Sequence, residues 1–171
     1  MAMVRKPYNV LFLCTGNSAR SIMAEALLRQ WGKDKFNAFS AGSRPNGGVH
    51  PMTLAILEMM DLPVDGLRSK SWDEFVVEGA PQMDFIFTVC AKAAGETCPV
   101  WPGQPVTAHW GVDDPAAQEG TERARIFAFR KALLELENRI KLFVSLPLDS
   151  LDRMQLKKKL DLIGKTDVII P

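Results

Sequence analysis

Apolar and polar positions along the chain fall into two kinds of pattern. Val10-Leu11-Phe12-Leu13 is an unbroken apolar run and predicts a buried strand, whereas Ser21 to Leu28 is built of good helix formers. Phe36 to Ser40 predicts a second short strand, closed by Ala41-Gly42-Ser43, and Arg44-Pro45-Asn46-Gly47-Gly48 is a loop by its turn residues. Met52 to Met60 has helical spacing, with Leu54, Ile56, Leu57 and Met60 apolar, and Trp72 to Val77 predicts a further short helix. Met83 to Val89 holds the strand pattern Phe85-Ile86-Phe87-Thr88-Val89 and runs into Cys90. Val106 to His109 predicts a last short strand. The longest helix is Thr121 to Phe143, where Ile126, Phe129, Leu133, Leu136, Ile140 and Phe143 recur every three or four residues and form a core stripe. Leu151 to Leu162 reads as a separate amphipathic helix after Pro147, with Lys157-Lys158-Lys159 on a solvated face.

Strands that alternate with helices predict an α/β fold of three layers, a mainly parallel four-stranded sheet flanked by helices on both faces. An extra carboxyl-terminal helix follows, so residues 1–146 are expected to be an oxyanion-binding catalytic domain. Residues 147–171 are expected to be a helical extension packed on or beside it. Ligands of such sheets bind beyond the carboxyl ends of the strands, and Cys14, Cys90 and the Asp114 loop all fall at that edge.

Composition narrows the class of partner. A chain of 171 residues can bury a core without staples, and 47% hydrophobic and 24% charged residues are ordinary globular values. A net charge of +1 provides no electrostatic footprint for nucleic acid or a membrane surface, so the substrate should be small. The apolar run after Arg5 and Lys6 is too short for a signal sequence, and no segment approaches the length that spans a bilayer. Three cysteines do not describe a secreted disulfide framework; a cytoplasmic protein, acting as a monomer, is expected.

The first strand ends on Cys14 and meets the first helix across Thr15-Gly16-Asn17-Ser18-Ala19-Arg20-Ser21. The first amides of a helix have no intrahelical partner and the macrodipole favours negative charge, so this loop can hold a tetrahedral oxyanion. Gly16 allows close backbone approach, and Asn17 tolerates a left-handed conformation. Arg20 adds a planar fork that matches two oxygens of the ion. Cys14, at the base of these donors, is expected to be the nucleophile, with its thiolate favoured and its pKa below the free value of about 8.5. A lone cysteine at a strand end is commonly inert; strand, Cys, Gly, Asn, Arg and helix start together point to function.

Cys90 and Cys98 bracket Ala91 to Thr97, small residues with a glycine among them. Two structural cysteines or half of a metal site are the competing readings. Only His50 and His109 remain as soft ligands and neither has motif spacing, so no metal is expected. With Cys14 at the same edge, a thiol relay is the better account, oxidation passing outward from sulfur to sulfur. In Asp113-Asp114-Pro115 the proline restrains Asp114, whose carboxyl could protonate a leaving oxygen as a general acid. The competing reading is a helix-leading loop with solvated carboxylates. His50, His109, Trp72, Trp101 and Trp110 are read as structural or packing residues.

Cys14-Thr15-Gly16-Asn17-Ser18-Ala19-Arg20-Ser21, Cys90, Cys98 and His109-Trp110-Gly111-Val112-Asp113-Asp114-Pro115-Ala116 together resemble the arsenate reductases of the low-molecular-weight protein tyrosine phosphatase superfamily, from about residue 8 to about residue 145. The resemblance implies that Cys14 attacks arsenate held by the loop amides and Arg20 while Asp114 protonates the departing oxygen. It implies further that Cys90 attacks Cys14 to release arsenite, and that Cys98 resolves the Cys14–Cys90 disulfide by pairing with Cys90. No tightly bound cofactor is implied, only an external thiol reductant, thioredoxin or else glutaredoxin with glutathione. Phosphate and sulfate would compete with arsenate. Asn17, Glu25 and Ser40 match positions that shape the loop, in some relatives around a potassium ion, and Lys70 stands near an acidic position of that ion site, where its ammonium could replace the cation.

The chain also departs from the family pattern. Ala19 stands where many relatives carry a second cysteine, and the Cys90–Cys98 spacing is slightly longer than in compact thioredoxin-coupled enzymes. Ala116-Ala117 replaces the aromatic residues that grip a tyrosine ring in the phosphatases. Hydrolysis of phosphate monoesters through a phosphocysteine is the alternative function, but it has no use for Cys90 and Cys98. A non-catalytic oxyanion or redox sensor, with the basic terminal helix as its interface, is a third reading that nothing in the sequence requires.

Overall fold

The structure is a computed structural model and describes residues 6–90 and 101–166. Four strands, β1 (Tyr8–Cys14), β2 (Phe36–Gly42), β3 (Phe85–Thr88) and β4 (Val106–His109), form one sheet in the order β2-β1-β3-β4, and every neighbouring pair is parallel. The chain leaves β1 toward β2 on one side and later returns to β3 on the other. The switch point of the sheet therefore lies at the carboxyl end of β1, where Cys14 sits.

Alternation along β1 divides the core in two. Val10, Phe12 and Cys14 face a large apolar layer made by α1 (Arg20–Gly32), α2 (Pro51–Met59), α3 (Glu122–Val144) and α4 (Arg153–Ile163). Leu11 and Leu13 face a smaller layer of Ala41, Phe75, Met83 and Ile86, with Phe39, Trp72 and Trp101 packed against it. The short helix expected over Trp72 to Val77 is a single 3-10 turn, Trp72–Phe75, on this second face. The three-layer parallel architecture expected from the patterning is thus the one formed, and the core stripe of the longest helix, Phe129 to Phe143, is buried as its spacing requires.

The basic run of α4 is exposed, as a solvated face requires, and its side also meets the edge of the sheet. Strand β4 is an edge of the sheet, and an unpaired edge exposes carbonyls to water or to another chain. Lys157 Nζ donates to the Thr107 carbonyl at 2.6 Å, and Arg153 donates to the carbonyls of Gln104 (2.7 Å) and Pro105 (3.3 Å). Two members of the basic side thus cover the edge strand and its approach, while Lys158 and Lys159 are exposed. Asp152 and Gln155 close a capping box at the start of this helix. Among the described residues no helix is long and apolar enough to cross a membrane.

Candidate active site

The loop from Cys14 to Arg20 borders a cavity of about 410 Å3 lined by Cys14, Thr15, Gly16, Ser18, Ala19, Arg20, Arg44, Asn46, Asp114 and Ala116. Its shape comes from neighbours that take its carbonyls. The Arg44 amide donates to Thr15 O (2.9 Å), the Asn46 amide to Gly16 O (2.9 Å) and the His50 amide to Ser18 O (3.0 Å). Ser69 Oγ and Thr53 Oγ1 add bonds to the same oxygens of Gly16 and Ser18. Across a trans peptide the carbonyl and the following amide point in opposite directions, so carbonyls held from outside turn the amides of Gly16, Asn17 and Ala19 toward the cavity. The Gly16 amide reaches the Cys14 sulfur, as that geometry requires. Helix α1 adds its own donors: Ala19 is its N-cap and no side chain caps it, whereas His50, Thr121 and Asp152 cap α2, α3 and α4.

Asn17 adopts φ +46°, the left-handed conformation expected of it. Its side chain accepts from the Lys70 amide (2.9 Å) and donates to Ser21 Oγ (2.7 Å), so one buried amide ties the loop to the start of α1 and to the backbone at Lys70. Gly16 lines the cavity, and a Cβ there would lie 2.8 Å from Asn46 Nδ2, so its small size also admits the Asn46 side chain. A glycine that the sequence did not single out for the site packs against the loop: a Cβ on Gly42 would stand 2.5 Å from the Thr15 carbonyl. Arg44 and Asn46, treated as ordinary loop residues in the sequence, line the cavity. The turn cluster that contains them was the only available signal.

Arg20 is mostly buried; Nη1 donates to the Val112 carbonyl at 2.9 Å and Nη2 lies 3.8 Å from Asp114 Oδ2. Its Nε is buried and finds no hydrogen-bond partner among the described residues. Asp114 both caps a turn and lines the cavity. Its Oδ1 accepts from the Ala116 amide and caps the turn Pro115–Ala117, while Oδ2 faces Arg20 at the rim of the cavity.

The expectation for Cys14 ionisation is reversed. The pKa of its thiol is pushed up, first by a hydrogen bond with Cys90 and then by burial. Arg20 and the Gly16 amide pull it down without prevailing. Spacing in the chain cannot show that Cys90, at the end of the adjacent strand, brings a second sulfur to the first. Both cysteines are buried, and Thr15 Oγ1 lies 3.6 Å from the Cys90 sulfur. Cys98 lies outside the described residues.

Below the loop, Glu25, Ser40 and Lys70 come together with Asn17. Glu25 accepts from Ser40 Oγ (2.6 Å) and Arg29, and Lys70 Nζ stands 3.7 Å from Glu25, 3.4 Å from Ser40 Oγ and 2.9 Å from the Arg68 carbonyl. Burial lowers the Lys70 pKa against the opposing pull of the Glu25 carboxylate. No group of three metal-ligating side chains occurs among the described residues. His50 caps α2 through Nδ1 and packs on Phe129, and His109 pairs with Thr88.

Strand order, a cysteine at the switch point, and a loop of inward amides closed by an arginine define an oxyanion-binding α/β protein with a cysteine in its cradle. Residues 9–160 match the low molecular weight phosphotyrosine protein phosphatase family, and the chain belongs to that family. It is 35% identical over 134 residues to an arsenate reductase of Halalkalibacterium halodurans, covering 78% of this chain and 93% of that protein. An arsenate reductase of Bacillus subtilis is 34% identical over the same length, with the same coverage. Among solved structures, an arsenate reductase from Archaeoglobus fulgidus superimposes with a TM-score of 0.63 at 30% identity, over 80% of this chain and 99% of that one. A thioredoxin-dependent arsenate reductase of Corynebacterium glutamicum gives 0.63 at 27% identity, over 86% of this chain and 66% of that one.

Proposed function

We propose that the protein reduces arsenate to arsenite. The observation that carries this reading is a second buried cysteine, Cys90, that bears on Cys14 of the oxyanion cavity, because ester hydrolysis needs one sulfur and a two-electron reduction needs two. The similarity to arsenate reductases supports it.

Arsenate is held by the loop amides of residues 15 to 21 and by Arg20. Cys14 gives its thiol proton to an arsenate oxygen as Sγ attacks arsenic; a sulfur–arsenic bond forms, an arsenic–oxygen bond breaks, and Asp114 supplies the proton that leaves with the departing oxygen. The Cys90 thiolate then attacks Cys14 Sγ. A disulfide forms, the sulfur–arsenic electron pair passes to arsenic, and arsenic(V) departs as arsenite. Cys98 exchanges into that disulfide, frees Cys14, and leaves a Cys90–Cys98 pair for an external dithiol, thioredoxin or glutaredoxin with glutathione. Asn17, Glu25, Ser40 and Lys70 hold the loop in shape, with the Lys70 ammonium in the place a potassium ion would take. The cytoplasm, where thiols are kept reduced, suits this cycle.

The test is stoichiometric. Reduced protein given arsenate without reductant should release one arsenite, and Cys98→Ser should stop there with Cys14 joined to Cys90 by mass spectrometry. Multiple turnovers of Cys98→Ser with thioredoxin would remove Cys98 from the relay, and no arsenite from the unaltered protein would overturn the function.

A further inference from the structure

Residues 110–112 lead into the Asp114 loop and are tied from every side. The Trp110 amide donates to Thr88 O (2.7 Å) and the Val112 amide to Val89 O (3.0 Å), and the Val112 carbonyl accepts from Arg20. These bonds come from the sheet and α1. Two more come from elements that a minimal α/β site has no evident need of.

The first is the carboxyl-terminal helix. Trp110 is fully buried, stacked on Phe87 at 3.8 Å, and its indole N–H donates to the Leu160 carbonyl at 3.0 Å. Leu160 O also takes the Gly164 amide at 3.1 Å. Gly164 has an ordinary helical backbone (φ −63°), so conformation does not demand glycine there. Space does: a Cβ would lie 2.4 Å from the His109 carbonyl and 2.9 Å from the Trp110 ring. The second element is Arg139 of α3, a buried cation. Its Nη1 donates to the carbonyls of Trp110 (3.0 Å) and Gly111 (2.9 Å), and Nη2 donates to Thr166 O (3.3 Å) beyond the end of α4. A buried guanidinium has a large desolvation cost, and an apolar residue would serve packing alone. Its charge is used to join the loop base to the chain after α4. Gly164 and Thr166 lie beyond the residues 9–160 that match the family.

We propose that α4 is a strut that positions the Asp114 loop, with Trp110, Arg139 and Gly164 as its positioning residues. Any shift of Trp110 to Val112 is passed to the acid two residues on. The inference rests on the proposed role of Asp114 as the general acid.

The experiment measures the first-turnover rate of arsenite formation against arsenate concentration, without reductant, in Gly164→Ala, Trp110→Phe, Asp114→Asn and the pairwise combinations with Asp114→Asn. Trp110→Phe keeps an aromatic ring for stacking and removes only the indole donor, so it carries the test if Gly164→Ala fails to fold. Each single strut variant should lower the maximal rate about tenfold, with half-saturating arsenate changed less than about twofold. In the Asp114→Asn background neither should slow the reaction further. Normal rates in the folded strut variants, or losses that multiply with Asp114→Asn, overturn the strut while leaving Asp114 as the acid. An unchanged rate in Asp114→Asn overturns the acid assignment and the strut with it.

Discussion

The largest cause raising the pKa of the Cys14 thiol is the side chain of Cys90, which arrives from the end of the neighbouring parallel strand. Cys90→Ala should therefore lower it and raise the rate of Cys14 alkylation by iodoacetamide at pH 7 by about tenfold or more, one unit of pKa being a factor of ten. Alkylation as slow as in the unaltered protein would mean that burial, not Cys90, protects the thiol. The same shift fixes the sign of a stability effect. Above pH ~8.5 the unfolded cysteine ionises while the folded one keeps its proton, so stability should fall with rising pH relative to Cys14→Ala, by urea titration between pH 7 and 10.

Arg20→Lys keeps the charge and loses the fork. Arg20 reaches the Val112 carbonyl and approaches Asp114 at the cavity, and one ammonium cannot also present two parallel donors to an oxyanion. Inhibition by phosphate should weaken by about 1.5–3 kcal/mol, roughly 10- to 100-fold, in a protein that melts normally. Unchanged inhibition would assign anion binding to the loop amides alone.

Gly42→Ala tests the close approach of β2 to the loop. A Cβ at that position meets a backbone oxygen, which cannot rotate away, so the Thr15 peptide must move. A destabilisation of about 1–3 kcal/mol is expected, together with loss of the rise in melting temperature that phosphate gives the unaltered protein. A variant that is equally stable and equally responsive to phosphate would show that the loop adapts.

Lys70 bears on cation dependence. Its Nζ lies among Glu25, Ser40 and the Arg68 carbonyl, so exchanging sodium for potassium should leave melting temperature and first-turnover rate unchanged. Lys70→Met removes a nearly buried partner of Glu25, which keeps Ser40 and Arg29, and should cost about 1–3 kcal/mol by chemical denaturation. A potassium-dependent rise in the melting temperature of the unaltered protein would refute the substitution of cation by ammonium.

Local pattern carried much of this protein. The run Val10 to Leu13, the core stripe of Phe129 to Phe143 and the passage from Cys14 through Asn17 to Arg20 are each contained within a few turns or one strand. Residue type and spacing were enough to place strands, helices and the anion loop, because periodicity reports which face is buried and a helix start reports where donors are unpaired.

What lay beyond the sequence were relations between segments distant in the chain. The pKa of Cys14 runs opposite to the expectation because Cys90 stands beside it in space, and no local pattern carries that distance. Gly42 is a strand end whose lack of a side chain matters because the Thr15 carbonyl lies against it, and the exposed Lys157 of α4 also reaches the β4 edge. The sequence by itself determined the elements and the chemical identity of the loop, which depend on near neighbours. Only the tertiary structure decided that Cys90 bears on the ionisation of Cys14 and which residues bond the segment before Asp114. Both depend on contacts made across the sheet and helices, where burial and close approach set the energies.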